Sequence, residues 1–135
     1  MNFFTDKLLV LRMEINDRKT LVLGASDNPE RYSYLAVNKL RNKGIETVAI
    51  GRRKTKVADV EIGTEKKDFE NIDTVTLYLN PKHQKEYYDY ILSLHPKRII
   101  FNPGAENDEL YDLAKINGIK PLEACTLVLL STNQF

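Results

Sequence analysis

The residues best equipped for chemistry lie between Gly24 and Ser33, where a glycine is followed by Ala25, Ser26, Asp27, Asn28, Pro29, Glu30, Arg31 and Tyr32. A glycine there lets the backbone turn tightly and come close to a ligand. A helix starting just beyond it offers unpaired amides and a positive dipole end to an anion. Ser26, Asn28 and Ser33 add neutral hydrogen-bonding groups, and Arg31 adds a charge. The competing reading is structural. Ser26, Asp27 and Asn28 are also good helix caps, and Pro29 suits a first helical position because it has no amide to leave unpaired. The full dinucleotide fingerprint has three glycines; this loop has only Gly24, so by itself it does not separate an anion site from a cap.

A second segment sharpens the choice. Glu46 to Ile50 reads as a strand that runs out into Gly51, Arg52, Arg53 and Lys54, with Lys56 close behind. Domains that bind NAD place a carboxylate at this point to hold the ribose hydroxyls. Here the carboxylate is missing and cations stand where a ribose phosphate would lie. Coenzyme A, with its 3′-phosphate, and NADP, with its 2′-phosphate, both suit that arrangement. A solvated basic turn is the bland alternative.

No catalytic or metal-binding constellation accompanies these segments. His83 and His95 fall at the two ends of one helix and read as exposed, favourable helix-end charges. Ser26 has no evident base partner, and no His/Cys/acid grouping has metal-ligand spacing. Glu106, Asp108 and Glu109 sit in a first helical turn, where acids are stabilising. The sequence has one cysteine, Cys125, which reads as a small buried hydrophobe and excludes an internal disulfide. Tyr87, Tyr88 and Tyr90 read as helix packing or an interface, which leaves a homo-oligomer open.

The elements that must position these residues alternate. Thr20 to Gly24 is a short apolar run ended by glycine, as in a buried parallel strand. The helix after it is expected to bury Tyr32, Leu35, Ala36 and Leu40 and to stop at Gly44. Thr74 to Leu79 forms a strand, followed by Asn80-Pro81 and a helix with Tyr87, Ile91 and Leu94 on one side. Arg98 to Phe101 is another strand, and Leu110, Leu113 and Ala114 mark a helix that Gly118 ends. Lys120 to Leu130 supplies a closing strand, Val60 to Ile62 a short one, and no regular helix is expected between Arg52 and Asp73. Parallel strands need crossovers. The alternation therefore predicts an α/β fold: a single Rossmann-like, doubly wound, mainly parallel sheet with its first strand central and helices on both faces.

The chain has 135 residues, the common size of one domain, with 42% hydrophobic and 29% charged residues. Residues 1–18 read as an N-terminal extension and 19–135 as the domain. Twenty basic residues face nineteen acidic ones, so charge gives no global argument for nucleic acid or membrane. No apolar run approaches the roughly 18 residues of a spanning helix, and the N-terminus lacks the pattern of a signal peptide. With a single cysteine, this points to a reducing, cytoplasmic setting.

From Lys19 onward the sequence resembles the small CoA-binding domain proteins, relatives of the N-terminal domain of the succinyl-CoA synthetase α subunit. Gly24 to Ser33 looks like that family's first loop. Behind it stand Ile72 to Val75 and the segment Asn102-Pro103-Gly104-Ala105-Glu106-Asn107, with Cys125 where such domains often carry a cysteine. The resemblance implies that Gly24, Ala25, Ser26, Asn28, Arg31 and Ser33 cradle the pyrophosphate, and that Gly51, Arg52, Arg53 and Lys54 meet the nucleotide. It also implies that Asn80 and Pro81 lie along the cofactor, and it adds Asn102 to the binding set. Two departures matter. The family usually has an Asn-Pro-Lys-like turn where this chain has Gly51-Arg52-Arg53. The synthetase's phosphorylated histidine belongs to a second domain that is absent, so ligase activity does not carry over. The expectation is a stand-alone binder of coenzyme A or an acyl-CoA without catalysis of its own. An NADP-dependent reductase-like domain and a nucleotide-responsive regulatory module are the alternatives.

Overall fold

The computed structural model describes residues 17–135. Apart from its last two residues, the extension expected at the N-terminus lies outside them. The strands are β1 (Thr20–Ala25), β2 (Thr47–Gly51), β3 (Thr55–Val57), β4 (Val60–Gly63), β5 (Thr74–Leu77), β6 (Arg98–Phe101) and β7 (Lys120–Glu123). The helices are α1 (Tyr32–Asn42), α2 (Pro81–Gln84), α3 (Tyr88–Ser93), α4 (Asp108–Ile116) and α5 (Thr126–Ser131), with a 3-10 turn over Lys85–Tyr87. One sheet holds all seven strands in the order β3-β4-β2-β1-β5-β6-β7. Every pairing is parallel except that of β3 with β4. The doubly wound, mainly parallel architecture is as the alternation predicts, and β1 is its middle strand.

The central position of β1 follows from its composition. Leu21, Val22 and Leu23 are fully buried, and complete burial of such side chains is worth about 1.5–3 kcal/mol each. Because side chains alternate across a strand, they feed two cores. Leu21 and Leu23 join Ile91, Leu94 and Leu110 beneath α3 and α4. Val22 joins Val37, Leu40 and Leu130 beneath α1 and α5.

Several local expectations are corrected. Helix α1 begins at Tyr32, not at Pro29, and buries Ser33, Ala36, Val37 and Leu40. Tyr32 and Leu35 are instead 71% and 43% exposed, because the stripe that packs on the sheet runs through Ser33, Ala36, Val37 and Leu40. The run from Lys120 is a strand only to Glu123; Thr126 onward is α5. Strand β3, antiparallel at the sheet edge, was not anticipated. Cys125 is half-buried at the start of α5, not sealed in the core.

Candidate functional site

Strand order reverses between β1 and β5: the chain leaves β1 toward β2 on one side and later returns to β5 on the other. Ligands of open α/β sheets bind beyond the carboxyl ends of the strands at such a point. A cleft of about 660 Å³ opens there. Its walls come from the loops after β1, β2, β5 and β6, and they include Gly24, Ala25, Ser26, Arg31, Ser33, Gly51, Arg52, Arg53 and Asn80. The two basic and glycine-bearing segments, 26 residues apart in the case of Asp27 and Arg53, thus share one cavity.

Glycine is required at two points of this wall. Gly24 has φ +94°, and a Cβ there would stand 2.9 Å from the Tyr78 carbonyl carbon and oxygen. At Gly51 a Cβ would stand 2.3 Å from the Ala25 carbonyl oxygen. The backbones of β1, β2 and β5 therefore close on one another directly at the cleft floor, and β1 bulges between Leu23 and Ala25. Such close approach is what lets main-chain amides, instead of side chains, face a ligand.

The loop from Ser26 to Arg31 satisfies itself. The Asn28 amide donates to Ser26 Oγ at 3.1 Å, the Glu30 amide to Asn28 Oδ1 at 3.0 Å, and the Arg31 amide to the Asn28 carbonyl at 3.0 Å. These turns use the polar side chains that were expected to cap the helix. At the start of α1 no side chain accepts from the first turn. The Tyr34 and Leu35 amides bond back to the Arg31 carbonyl. Tyr32 and Ser33, whose amides head the helix, both line the cleft, an arrangement that suits an anion.

Asp27 lines the cleft and links its two charged segments. Its Oδ1 accepts from Arg53 Nη2 at 2.6 Å and its Oδ2 from Thr55 Oγ1 at 2.8 Å. The Thr55 hydroxyl, and then the Arg53 guanidinium, hold this carboxyl below the usual carboxylate range. Arg52 and Arg31 also line the cleft and, among the described residues, neither forms an ion pair.

The opposite wall is built differently. Asn80 caps α2 by accepting from the His83 amide at 3.0 Å, with Pro81 at the first position. Gln84 is fully buried; its Nε2 donates to the carbonyls of Leu79 and Ala105, both at 2.8 Å. Its Oε1 accepts from Asn107 Nδ2. One side chain thereby pins the loops after β5 and β6 to each other. Tyr78 also lines this side; its hydroxyl is buried beside those of Thr126 and Thr76 without a well-formed bond to either. Burial pushes that phenol up to about 12.

Four sequence candidates fall outside the cleft lining. Asn28 shapes the loop from its exposed side, and Lys54 is not among the residues that line the cavity. Pro81 lies on a separate shallow depression with Lys82, Lys85 and Tyr88. Asn102 is buried, and its carboxamide is fully engaged. It donates to Thr76 Oγ1 at 2.7 Å and the Leu77 carbonyl at 2.9 Å, and accepts from the Thr126 amide at 2.9 Å. It supports the wall without facing a ligand. The reading of the sequence missed Asp27, Thr55, Tyr78 and Gln84; only Gln84 carried a visible signal, as an amide on the apolar side of a helical run.

Sheet order and switch-point cleft together define a doubly wound, Rossmann-like α/β domain. The chain belongs to the CoA binding domain family, whose model matches residues 18–131. Among solved structures, one of an uncharacterized protein is 50% identical, with a TM-score of 0.85 over 87% of this chain and 98% of that one. A protein from Thermus thermophilus (18% identity, TM-score 0.77, 100% of both chains) shares the fold. So does a hypothetical protein from Pyrococcus horikoshii OT3 (21% identity, TM-score 0.77, 92% of this chain and 89% of that one). Nothing among curated proteins matches. Among the described residues no helix is long and apolar enough to cross a membrane, and no group of His, Cys, Asp and Glu is placed to hold a metal ion.

Proposed function

We propose that this protein binds coenzyme A or an acyl-CoA in the cytoplasm, and that it has no turnover of its own. Membership in the CoA binding domain family supports the ligand class. The observation that carries the reading is the meeting, in one cleft, of the Gly24–Ser33 loop and the Gly51–Arg53 turn. In this reading the pyrophosphate lies against the Gly24 backbone and the Tyr32 and Ser33 amides. Arg31 adds charge there, and Arg52 reaches the ribose phosphate. Asn80 and the loop from Pro103 to Ala105 then flank the remainder of the cofactor.

The chemistry of these residues is binding and orientation. His83 and Glu86 line the cleft, but among the described residues neither side chain is held by a second group that would make it a poised acid or base. Calorimetry with CoA, dephospho-CoA, NADP and NAD tests the proposal. CoA should bind most tightly, with an advantage over dephospho-CoA of about tenfold, the lower end of a charge-assisted hydrogen bond at an exposed site. That advantage should shrink with salt. Arg52→Ala should remove it, while Gly24→Val should abolish binding of both ligands by forcing the backbones apart. Tighter binding of NADP than of CoA would overturn the assignment in favour of a reductase-like domain.

A further inference from the structure

A carboxylate in a loop that receives a pyrophosphate is an electrostatic fault unless something cancels it. Asp27 lies in that loop and lines the cleft. Both of its oxygens are occupied from the far side of the cavity mouth, Oδ1 by Arg53 and Oδ2 by Thr55. The side chain of Asp27 is 29% exposed and that of Arg53 75%. The pair thus sits at the rim, one partner from each of the two ligand-facing segments. Of the three consecutive cations Arg52, Arg53 and Lys54, Lys54 does not line the cleft and Arg53 is committed to Asp27. Arg52 is left as the cation of that turn facing the cavity.

We propose that Arg53 is a positioning residue that neutralises Asp27 and clasps the basic turn to the phosphate loop, and that Arg52 is the turn's contact to the ribose phosphate. The assignment rests on the CoA reading above and makes the two adjacent arginines unequal. Loss of Arg53 bares a negative charge beside the pyrophosphate, which every CoA-like ligand carries. Loss of Arg52 removes a contact that only the 3′-phosphate uses. Asp27 then acts as the lever: it tethers Arg53, and it does harm only when left alone.

Calorimetry with CoA and dephospho-CoA on the full chain separates these roles, with melting curves run alongside to show that each variant is folded. Arg53→Ala should weaken both ligands by a similar factor, on the order of tenfold, and leave their ratio unchanged. Asp27→Asn keeps one acceptor oxygen for Arg53, and its NH2 can donate to the Thr55 hydroxyl, but it carries no charge, so it should bind both ligands as well as the parent or better. In the double variant Asp27→Asn with Arg53→Ala, affinity should return to within about threefold of the parent. A clasp with only a structural role would show losses in both single variants and no rescue, and that result would overturn the proposal. So would an Arg53→Ala variant that loses the preference for CoA over dephospho-CoA, because Arg53 would then be the phosphate contact. Failure of the unaltered protein to bind either ligand is a different outcome: it removes the CoA reading and this assignment with it.

Discussion

Of the three Asn-Pro pairs at the carboxyl edge of the sheet, two do opposite things. Asn80-Pro81 starts a helix at once: Asn80 caps it and Pro81 takes the first position. Asn28-Pro29 has the same two residues, yet α1 begins three residues after Pro29, at Tyr32. The difference lies in what surrounds each pair. Next to Asn80, Gln84 is buried and bonded to the Leu79 and Ala105 carbonyls, which holds the first helical turn against the sheet. Around Asn28, Ser26 and Asn28 spend their side chains on the local amides of Asn28 and Glu30, and Asp27 is drawn across the cleft by Thr55 and Arg53. On one wall of the cleft the helix start is therefore finished within the protein. The other keeps helix amides uncapped and cations at its rim, a state that a bound anion completes.

The finished wall should be the costlier one to damage. Asn102→Ala removes three hydrogen bonds in one step and takes this partner from the Thr126 amide and the Leu77 carbonyl in a buried setting. Leaving buried polar groups unsatisfied costs about 1–3 kcal/mol each. Some of the loss is recovered through the remaining bond between Thr76 and Thr126. The expected net destabilisation is about 3 kcal/mol, read by urea denaturation. A loss no larger than about 0.5 kcal/mol, typical of an exposed surface substitution, would mean that the two walls do not differ as described.

The same contrast explains what could be read from the sequence. Short apolar strands bounded by glycine are legible because full burial on both faces leaves no other composition for them, as in Leu21 to Leu23. The central place of β1 followed from that buried run and from the alternation of strands with helices. Helix α5 reads as strand in the sequence because six residues, Thr126 to Ser131, are too few to show a helical period, and its apolar run looks the same either way. Its position depends on a long-range bond, the Thr126 amide to Asn102. Of the site, the glycine and the cations were visible as local types. The pairing of Asp27 with Arg53 was not, because nothing in the spacing of the two residues announces which cation is free and which is taken.

A smaller effect tests the Asn-Pro comparison directly. Asn80→Ala should cost about 1 kcal/mol of stability, the usual worth of a helix cap. Asn28→Ala removes an exposed bond to the Glu30 amide outside any helix and should cost only a few tenths. Their effects on the cleft should run the other way. Asn28→Ala loosens the loop that presents the Tyr32 and Ser33 amides, so it should weaken CoA binding more than Asn80→Ala does. Equal losses of stability, measured by denaturant midpoint at constant slope, would show that Asn28 caps α1 after all.

The finest test concerns the proton on Asp27. Its carboxyl sits below the ordinary carboxylate value of 3.8, with the Thr55 hydroxyl as the larger cause and the Arg53 guanidinium as the next. A carboxyl whose pKa is lower folded than unfolded stabilises the fold above its unfolded value. That contribution fades as pH falls through the folded one. The clasp should consequently persist through the neutral and mildly acidic range and open only at pH values below those at which ordinary aspartates have protonated. Carbon-detected titration of the Asp27 carboxyl by NMR reads this directly. Thr55→Val should raise the midpoint more than Arg53→Ala does, because a hydroxyl donating to one oxygen at the cleft rim is lost less readily to solvent than a 75% exposed guanidinium. With both changed, the midpoint should reach the ordinary range. A reversed order would place the guanidinium first in holding Asp27, and Arg53→Ala alone would then be enough to release the loop from the turn.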